Sequence, residues 1–193
     1  MRGSLIVVSG PSGAGKGTLI EAALEEVPNL SFSVSATTRK PRPGEVDGRD
    51  YVFLSRETFE EWIEAGKFLE WAEYSSNLYG TPAEQADELL DSGRSIILDI
   101  ELQGARQVRE NRPDAVMVFV RAPSLEETRR RLEGRATETA EAIKSRMTAA
   151  RTAIAARDEF DFEIVNDDLR TSRPAMVKLV EEIVKSSETA SRR

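Results

Sequence analysis

The chain has 193 residues, 39% hydrophobic and 32% charged, with a formal net charge of −7 and neither cysteine nor histidine. That length supports one sound core in one or two domains, and the missing residue types exclude disulfides, thiolate or imidazole metal sites, a cysteine nucleophile and a Ser-His-Asp triad. The acidic balance argues against nucleic acid as a partner, so an anionic ligand needs local clusters of Lys and Arg.

Met1-Arg2-Gly3-Ser4 leads straight into an apolar run, so no signal peptide is expected, and a cytoplasmic location suits the cysteine-free composition. From Leu5 the run is rich in β-branched residues, breaks into a glycine loop, and gives way to helix formers from Leu19 to Glu26. Gly10 to Lys16 fits the spacing G-x-x-x-x-G-K. Gly10, Pro11, Ser12, Gly13, Ala14, Gly15, Lys16, Gly17 and Thr18 therefore form a candidate phosphate cradle. Its backbone N–H groups curl round an anion at a helix N-terminus, with Lys16 reaching the β/γ-phosphates. The strict motif has Ser or Thr directly after the lysine to hold Mg²⁺; here Gly17 stands there and Thr18 follows. An ordinary glycine turn capping a helix is the plainer alternative, and the agreement of strand, spacing and helix argues against it.

Ser31 to Thr38 alternates like a strand and runs into the basic, proline-stiffened loop Arg39 to Gly44. A short strand over Asp50 to Leu54, a helix over Thr58 to Ala65 closed by Gly66, and a strand over Phe68 to Tyr74 follow, then a turn at Ser75-Ser76-Asn77. Thr81-Pro82-Ala83-Glu84 reads as a capping box opening a helix that ends at Gly93. Strands are expected at Ser95 to Ile100, Ala115 to Val120 and Phe162 to Val165. Helices are expected at Gly104 to Asn111, from the capping box at Ser124 towards Arg131, at Glu138 to Arg157 and at Ala175 to Lys185, with Ser186 to Arg193 frayed. The longest apolar run, Ala115 to Val120, is far too short for a membrane span. Strands alternating with helices predict an α/β fold with a parallel sheet flanked by helices. Residues 35–80 break that rhythm and read as an inserted lobe.

The lobe gathers Ser35, Arg39, Arg42, Tyr51, Glu70, Tyr79 and Thr81. Two arginines and two tyrosines suit one phosphate group. Glu70, between Leu69 and Trp71, needs partners if buried. Guanine offers two donors on one edge, N1–H and the N2 amine, that match a carboxylate, and its O6 needs a hydroxyl such as Ser35 or Thr81. Taken singly, Glu70 on the solvent face of an edge strand and the arginines in surface ion pairs are equally fair readings.

Six segments, in order along the chain, resemble the guanylate kinase family: residues 33–51, Phe68-Leu-Glu-Trp-Ala-Glu-Tyr74, Asn77-Leu-Tyr-Gly-Thr81, Asp99-Ile-Glu-Leu-Gln-Gly104, Arg131-Leu-Glu-Gly-Arg-Ala-Thr-Glu138 and Val165-Asn-Asp-Asp168. The resemblance implies a Mg²⁺-dependent P-loop kinase that moves the γ-phosphoryl of ATP to GMP, with deoxy-GMP a further acceptor and no membrane partner. It implies a P-loop NTPase core (residues 1–34, 82–126 and 161–193), a GMP-binding lobe (35–81) and a helical lid (127–160). Ser35, Glu70 and Thr81 would read guanine, and Arg39, Arg42, Tyr51 and Tyr79 would hold its phosphate. Lys16, Arg42, Arg135 and Arg146 would meet the transferring phosphoryl group, with Arg131 nearby and Asn166 beside the adenine. Asp99 ends its strand as a Walker-B-like carboxylate does; it falls in the region used for GMP and metal, so Thr18 and Asp99 are the candidate metal ligands. Glu101 stands where many members have Asp. A guanylate-kinase-like protein-binding module without catalysis, and a related kinase with another phosphorylated acceptor, are the rival readings.

Overall fold

The computed structural model describes residues 2–74, 76–134 and 139–190. Strand β1 (Leu5–Ser9) is buried throughout because it is the middle of a five-stranded parallel sheet. Its neighbours are β7 (Ser95–Asp99), with β2 (Leu30–Phe32) beyond, and β8 (Val116–Arg121), with β9 (Phe162–Val165) beyond. A strand covered on both faces reads as an unbroken apolar run, and its pleat divides the run between two cores. Ile6 and Val8 pack with α1 (Lys16–Glu26) and α7 (Leu169–Ala190). Leu5 and Val7 pack on the opposite side with α3 (Ala83–Asp91) and α4 (Leu102–Asn111). In such sheets ligands bind beyond the strands' carboxyl ends. The register sets Val8 opposite Asp99 and Ser9 opposite Phe119, so the ends of β7 and β8 flank the loop that leaves β1.

A second sheet runs β4 (Val52–Phe53), β3 (Ala36–Thr37), β6 (Asn77–Pro82), β5 (Phe68–Tyr74), mostly antiparallel. Its small core is Ala36, Phe59, Phe68 and Leu78, with Phe59 of α2 (Arg56–Glu64) stacked on Phe68 at 4.4 Å between ring centres. Removing either ring would cost about 3–5 kcal/mol. Two further helices, α5 (Leu125–Glu133) and α6 (Ala140–Ala155), pack together above the first sheet's loops, each opened by a hydroxyl cap, Ser124 and Thr139. Among the described residues no helix is long and apolar enough to cross a membrane.

The α/β expectation holds, and several boundaries move. The strand expected over Ser31 to Thr38 is two strands, β2 and β3, in different sheets. Asn77 to Pro82, expected as a turn and a helix cap, is strand β6, paired on both sides. The capping box at Thr81 does not form: Pro82 occupies the cap of α3 without a side-chain bond, and the Thr81 hydroxyl donates to Glu70 instead. At Ser124 half of the box forms, because Glu127 turns to Arg130 and Arg131. Helix α7 begins at Leu169, not Ala175, and carries Pro174 inside it; it also continues through Ser186 to Ala190, where fraying was expected. Glu138, the expected start of α6, lies outside the described residues, as do residues 191–193.

Candidate active site

The loop after β1 enters α1 through Gly15, whose φ of 82° lies in the left-handed region and whose Cα has no room for a side chain. A Cβ there would sit 2.4 Å from Asn166 Nδ2. α1 has no side-chain cap, unlike α2, α5 and α6, so its first N–H groups open onto the loop and favour an anion. Lys16 Nζ donates to the Gly10 carbonyl at 2.9 Å and lies 3.6 Å from Asp99 Oδ1. Burial pushes the Asp99 carboxyl above the usual aspartate range; Lys16 opposes this and Glu101 adds to it.

Asn166 follows β9 and is 3% exposed. Its amide donates to the Ala14 carbonyl at 2.9 Å, so this residue, expected beside adenine, also braces the phosphate loop. Its own carbonyl accepts from Arg131, whose guanidinium is held by Glu127. A cleft of about 470 Å³ opens here, lined by Gly15, Thr18, Glu127, Arg131, Asn166 and Asp167. A second, of about 460 Å³, lies between the loop and α6, lined by Ser12, Tyr74, Glu101, Ser145 and Arg146. Arg146 donates to Ser12 Oγ at 2.7 Å, so α6 reaches the phosphate loop directly. Arg135, also expected at the phosphoryl group, lies outside the described residues.

In the second sheet, Glu70 is 6% exposed, and its Oε1 accepts the Thr81 hydroxyl at 2.7 Å. Burial raises its pKa, and the bonds from Thr81 only partly offset this. Its Oε2 lies so close to Gly104 of α4 that a Cβ on that glycine would stand 2.6 Å away. Ser35 is half-buried, and the register of β3 with β6, Ala36 opposite Gly80, carries it toward Thr81. Arg39 forms a two-pronged ion pair with Glu45, both bonds 2.9 Å, beneath a cation–π contact 5.2 Å from the Tyr51 ring centre. Tyr51 meets Tyr79 edge to face at 6.3 Å. The Arg39 pair, with the Arg42 backbone N–H, draws the Glu45 carboxyl down to about 2, while Arg39 itself is raised. The Arg42 side chain is exposed, and its N–H bond to Glu45 keeps it in the same loop turn as Arg39.

Thus Glu70 joins Thr81, Arg39 joins Tyr51 and Tyr79, and Lys16 joins Asp99. The two ends of the site meet through α4, which starts just beyond Asp99 and carries Gly104 to Glu70. Sequence reading missed Glu45 and Gly104, both of which lie within recognised segments without a role.

The guanylate kinase family model matches residues 2–186. The chain belongs to the guanylate kinase family. A guanylate kinase of Rubrobacter xylanophilus is 69% identical over 183 residues, covering 95% of this chain and 96% of that protein. One from Synechocystis is 46% identical over 182 residues, with 94% and 95% covered. The crystal structure of a guanylate kinase from Anaplasma phagocytophilum superposes with a TM-score of 0.71 at 31% identity, covering 95% of this chain and 87% of that one. Its family makes the chain a nucleoside monophosphate kinase with a P-loop NTPase fold.

Proposed function

We propose that this guanylate kinase family enzyme transfers the γ-phosphoryl of ATP to GMP, giving ADP and GDP, with the Lys16 loop holding the donor and the Glu70 sheet the acceptor. The observation that carries the choice of acceptor is Glu70, a buried carboxylate fixed by Thr81. Guanine meets it with N1–H and the N2 amine. Thr81 already gives its one proton to Glu70, so O6 falls to the Ser35 hydroxyl. Adenine would leave the carboxylate unpaired, a discrimination of a few kcal/mol, on the order of 10³ or more. Arg39, Arg42, Tyr51 and Tyr79 grip the acceptor phosphate, and Asn166 lies beside the adenine of ATP. None of these groups is assigned to the ribose 2′-hydroxyl, so deoxy-GMP is expected to serve as well.

The acceptor phosphate is anionic at neutral pH, so transfer needs no strong base and suits a chain without histidine. Catalysis then consists of aligning donor and acceptor and neutralising the charge between them. Lys16, Arg42 and Arg146 supply that charge; the bond from Arg146 to Ser12 supports its part, and Arg135 is included on resemblance alone. Thr18 and Asp99 would hold Mg²⁺: both are hard oxygen donors, and Mg²⁺ takes one or two carboxylates with phosphates and water. When bound, the ion would supply positive charge to offset that of the phosphates. Among the described residues no three ligating side chains form a cage of their own. The second sheet, built between Ala36 and Pro82, supports an acceptor lobe over 35–81, and the packing of α5 on α6 supports a lid over 127–160, leaving 1–34, 82–126 and 161–193 as core. The cysteine-free composition supports a cytoplasmic site of action.

A coupled ADP-release assay with ATP, Mg²⁺ and GMP, AMP, CMP or UMP tests the reading. Turnover with GMP alone is expected. Turnover with another acceptor would remove the Glu70 argument, and binding of GMP without turnover would favour a non-catalytic module.

A further inference from the structure

β5 is the outer strand of the second sheet, so its free edge would expose unpaired backbone groups. Along Leu69 to Trp71 that edge is covered by α4. The Gln107 side chain acts as a substitute strand: its Oε1 accepts from the Trp71 N–H at 3.0 Å, and its Nε2 donates to the Trp71 carbonyl at 2.9 Å. One turn later Asn111 Nδ2 donates to the Leu69 carbonyl at 3.1 Å. Because Gln107 meets one donor and one acceptor of the same residue, only one orientation of its amide satisfies both.

The two bonded residues bracket Glu70. The Trp71 main-chain groups and the Leu69 carbonyl face the free edge, while Glu70 pairs with Thr81 of β6 just past an irregularity in the ladder between Phe68 and Glu70. Gly104, Gln107 and Asn111 are spaced three and four apart, so they share one stripe of α4. On that stripe Gly104 admits the Glu70 carboxylate, and the two amides clamp the strand on either side of it. The same helix begins just past Asp99, the partner of Lys16.

We propose that Gln107 and Asn111 are positioning residues for the acceptor base, holding the Glu70 carboxylate in register with α4 and hence with the phosphate loop. This rests on the reading of Glu70 as the group that meets guanine. Neither amide touches the substrate. They act by fixing the strand that does, so their removal should blur base discrimination rather than block phosphoryl transfer.

Inosine monophosphate separates this from a general structural role, because it lacks the 2-amino group and offers Glu70 one donor instead of two. The full-length enzyme is compared with Gln107→Met, Asn111→Ala, Glu70→Ala and the double variant Gln107→Met/Glu70→Ala, using GMP and inosine monophosphate as acceptors. For Gln107→Met, kcat/KM for GMP should fall about tenfold or more, chiefly through KM, with KM for ATP within about twofold. The preference for GMP over inosine monophosphate should shrink about fivefold, and Asn111→Ala should show the same pattern more weakly. Adding Gln107→Met to Glu70→Ala should cost little further, since the group being positioned is gone. An unchanged preference in both amide variants, equal rises in both KM values, or additive losses in the double variant would overturn the proposal. If Glu70→Ala itself left the preference intact, the guanine reading would fall and take this inference with it. If Glu70→Ala abolished the preference and the amide variants did not touch it, only the positioning role would fall.

Discussion

Gly104→Ala is the sharpest test of how Glu70 is held. The added methyl would lie 2.6 Å from Oε2 of Glu70, 3.2 Å from Cδ and 3.4 Å from Cγ. Ordinary contact begins at 3.4 Å, so Oε2 must withdraw about 0.8 Å (3.4 − 2.6). It cannot withdraw freely, because the side chain is 6% exposed and its other oxygen is bonded to Thr81. A shift approaching 1 Å in a positioned group costs up to about 10²-fold, about 2.7 kcal/mol of transition-state stabilisation. The backbone term runs the other way, since alanine in place of glycine favours a helix by up to about 1 kcal/mol. For a chain of this size that is worth about 2–4 °C in Tm. Overpacking opposes that gain, so coupled kinetics and thermal melting together should report a 10–100-fold loss of kcat/KM for GMP with Tm changed by no more than a few degrees. A kcat/KM within twofold of the parent would refute the contact. A loss accompanied by several degrees of destabilisation would make the effect global instead of local to the carboxylate.

Arg146→Ala should lower kcat by about 10² or more while changing KM for GMP little, because the arginine reaches the phosphate loop rather than the second sheet; steady-state kinetics with both substrates varied would check it. Burial raises the Glu70 pKa above the usual glutamate range, and guanine needs the ionised form. KM for GMP should therefore climb as pH falls towards that range while KM for ATP does not, and Glu70→Gln should remove the dependence while weakening GMP. Glu45 and Glu127 are held near 2 by their arginines, below the ordinary 4.5. A depressed folded pKa contributes stability that is present above 4.5 and lost as pH falls from there through about 2. Denaturant unfolding in that window should lose stability on acidification, and Glu127→Gln should flatten the slope.

The central sheet was legible because β1, β7 and β8 are buried on both faces and so read as short apolar runs between helix signals. The phosphate loop was legible because glycine spacing is itself the structural requirement. The second sheet was only partly so. β6 carries Asn77, Gly80 and Pro82, residues that locally favour turns, and it becomes a strand because β5 and β3 pair with it on both sides. Thr81 and Glu84 match a capping box locally, yet Thr81 satisfies a buried carboxylate, which is costlier to leave unpaired than a helix N-terminus at the surface. Pro174 argues for a helix start nearby, but α7 begins five residues before it and forgoes one backbone bond, with Ser172 and Met176 already packed. Glu70 stood out as a carboxylate in an apolar segment. The partners that give it a fixed position did not, because Gly104, Gln107 and Asn111 are unremarkable until β5 is known to lie against that face of α4.

Four of the site's cations, among the described residues, already have partners within the protein. Arg39 sits on Glu45, Lys16 on the Gly10 carbonyl and close to Asp99, Arg131 on Glu127, and Arg146 on Ser12. Nucleotide phosphates therefore meet side chains whose rotamers are largely settled, so less conformational entropy is lost on binding. The arrangement also limits affinity, since any internal partner that is displaced must be exchanged rather than simply added to. Arg39 resolves this by geometry. Glu45 and the Lys40 carbonyl take NH1 and one edge of NH2, and the Tyr79 side chain also meets the guanidinium. A guanidinium clamped on one edge and stacked on Tyr51 presents a fixed second edge to an incoming phosphate, something a lysine could not do. Arg39→Lys should accordingly behave nearly as badly as Arg39→Ala, raising KM for GMP about tenfold or more in either case. Recovery of wild-type KM by the lysine variant would mean that charge alone, and not the held fork, is what the acceptor phosphate requires.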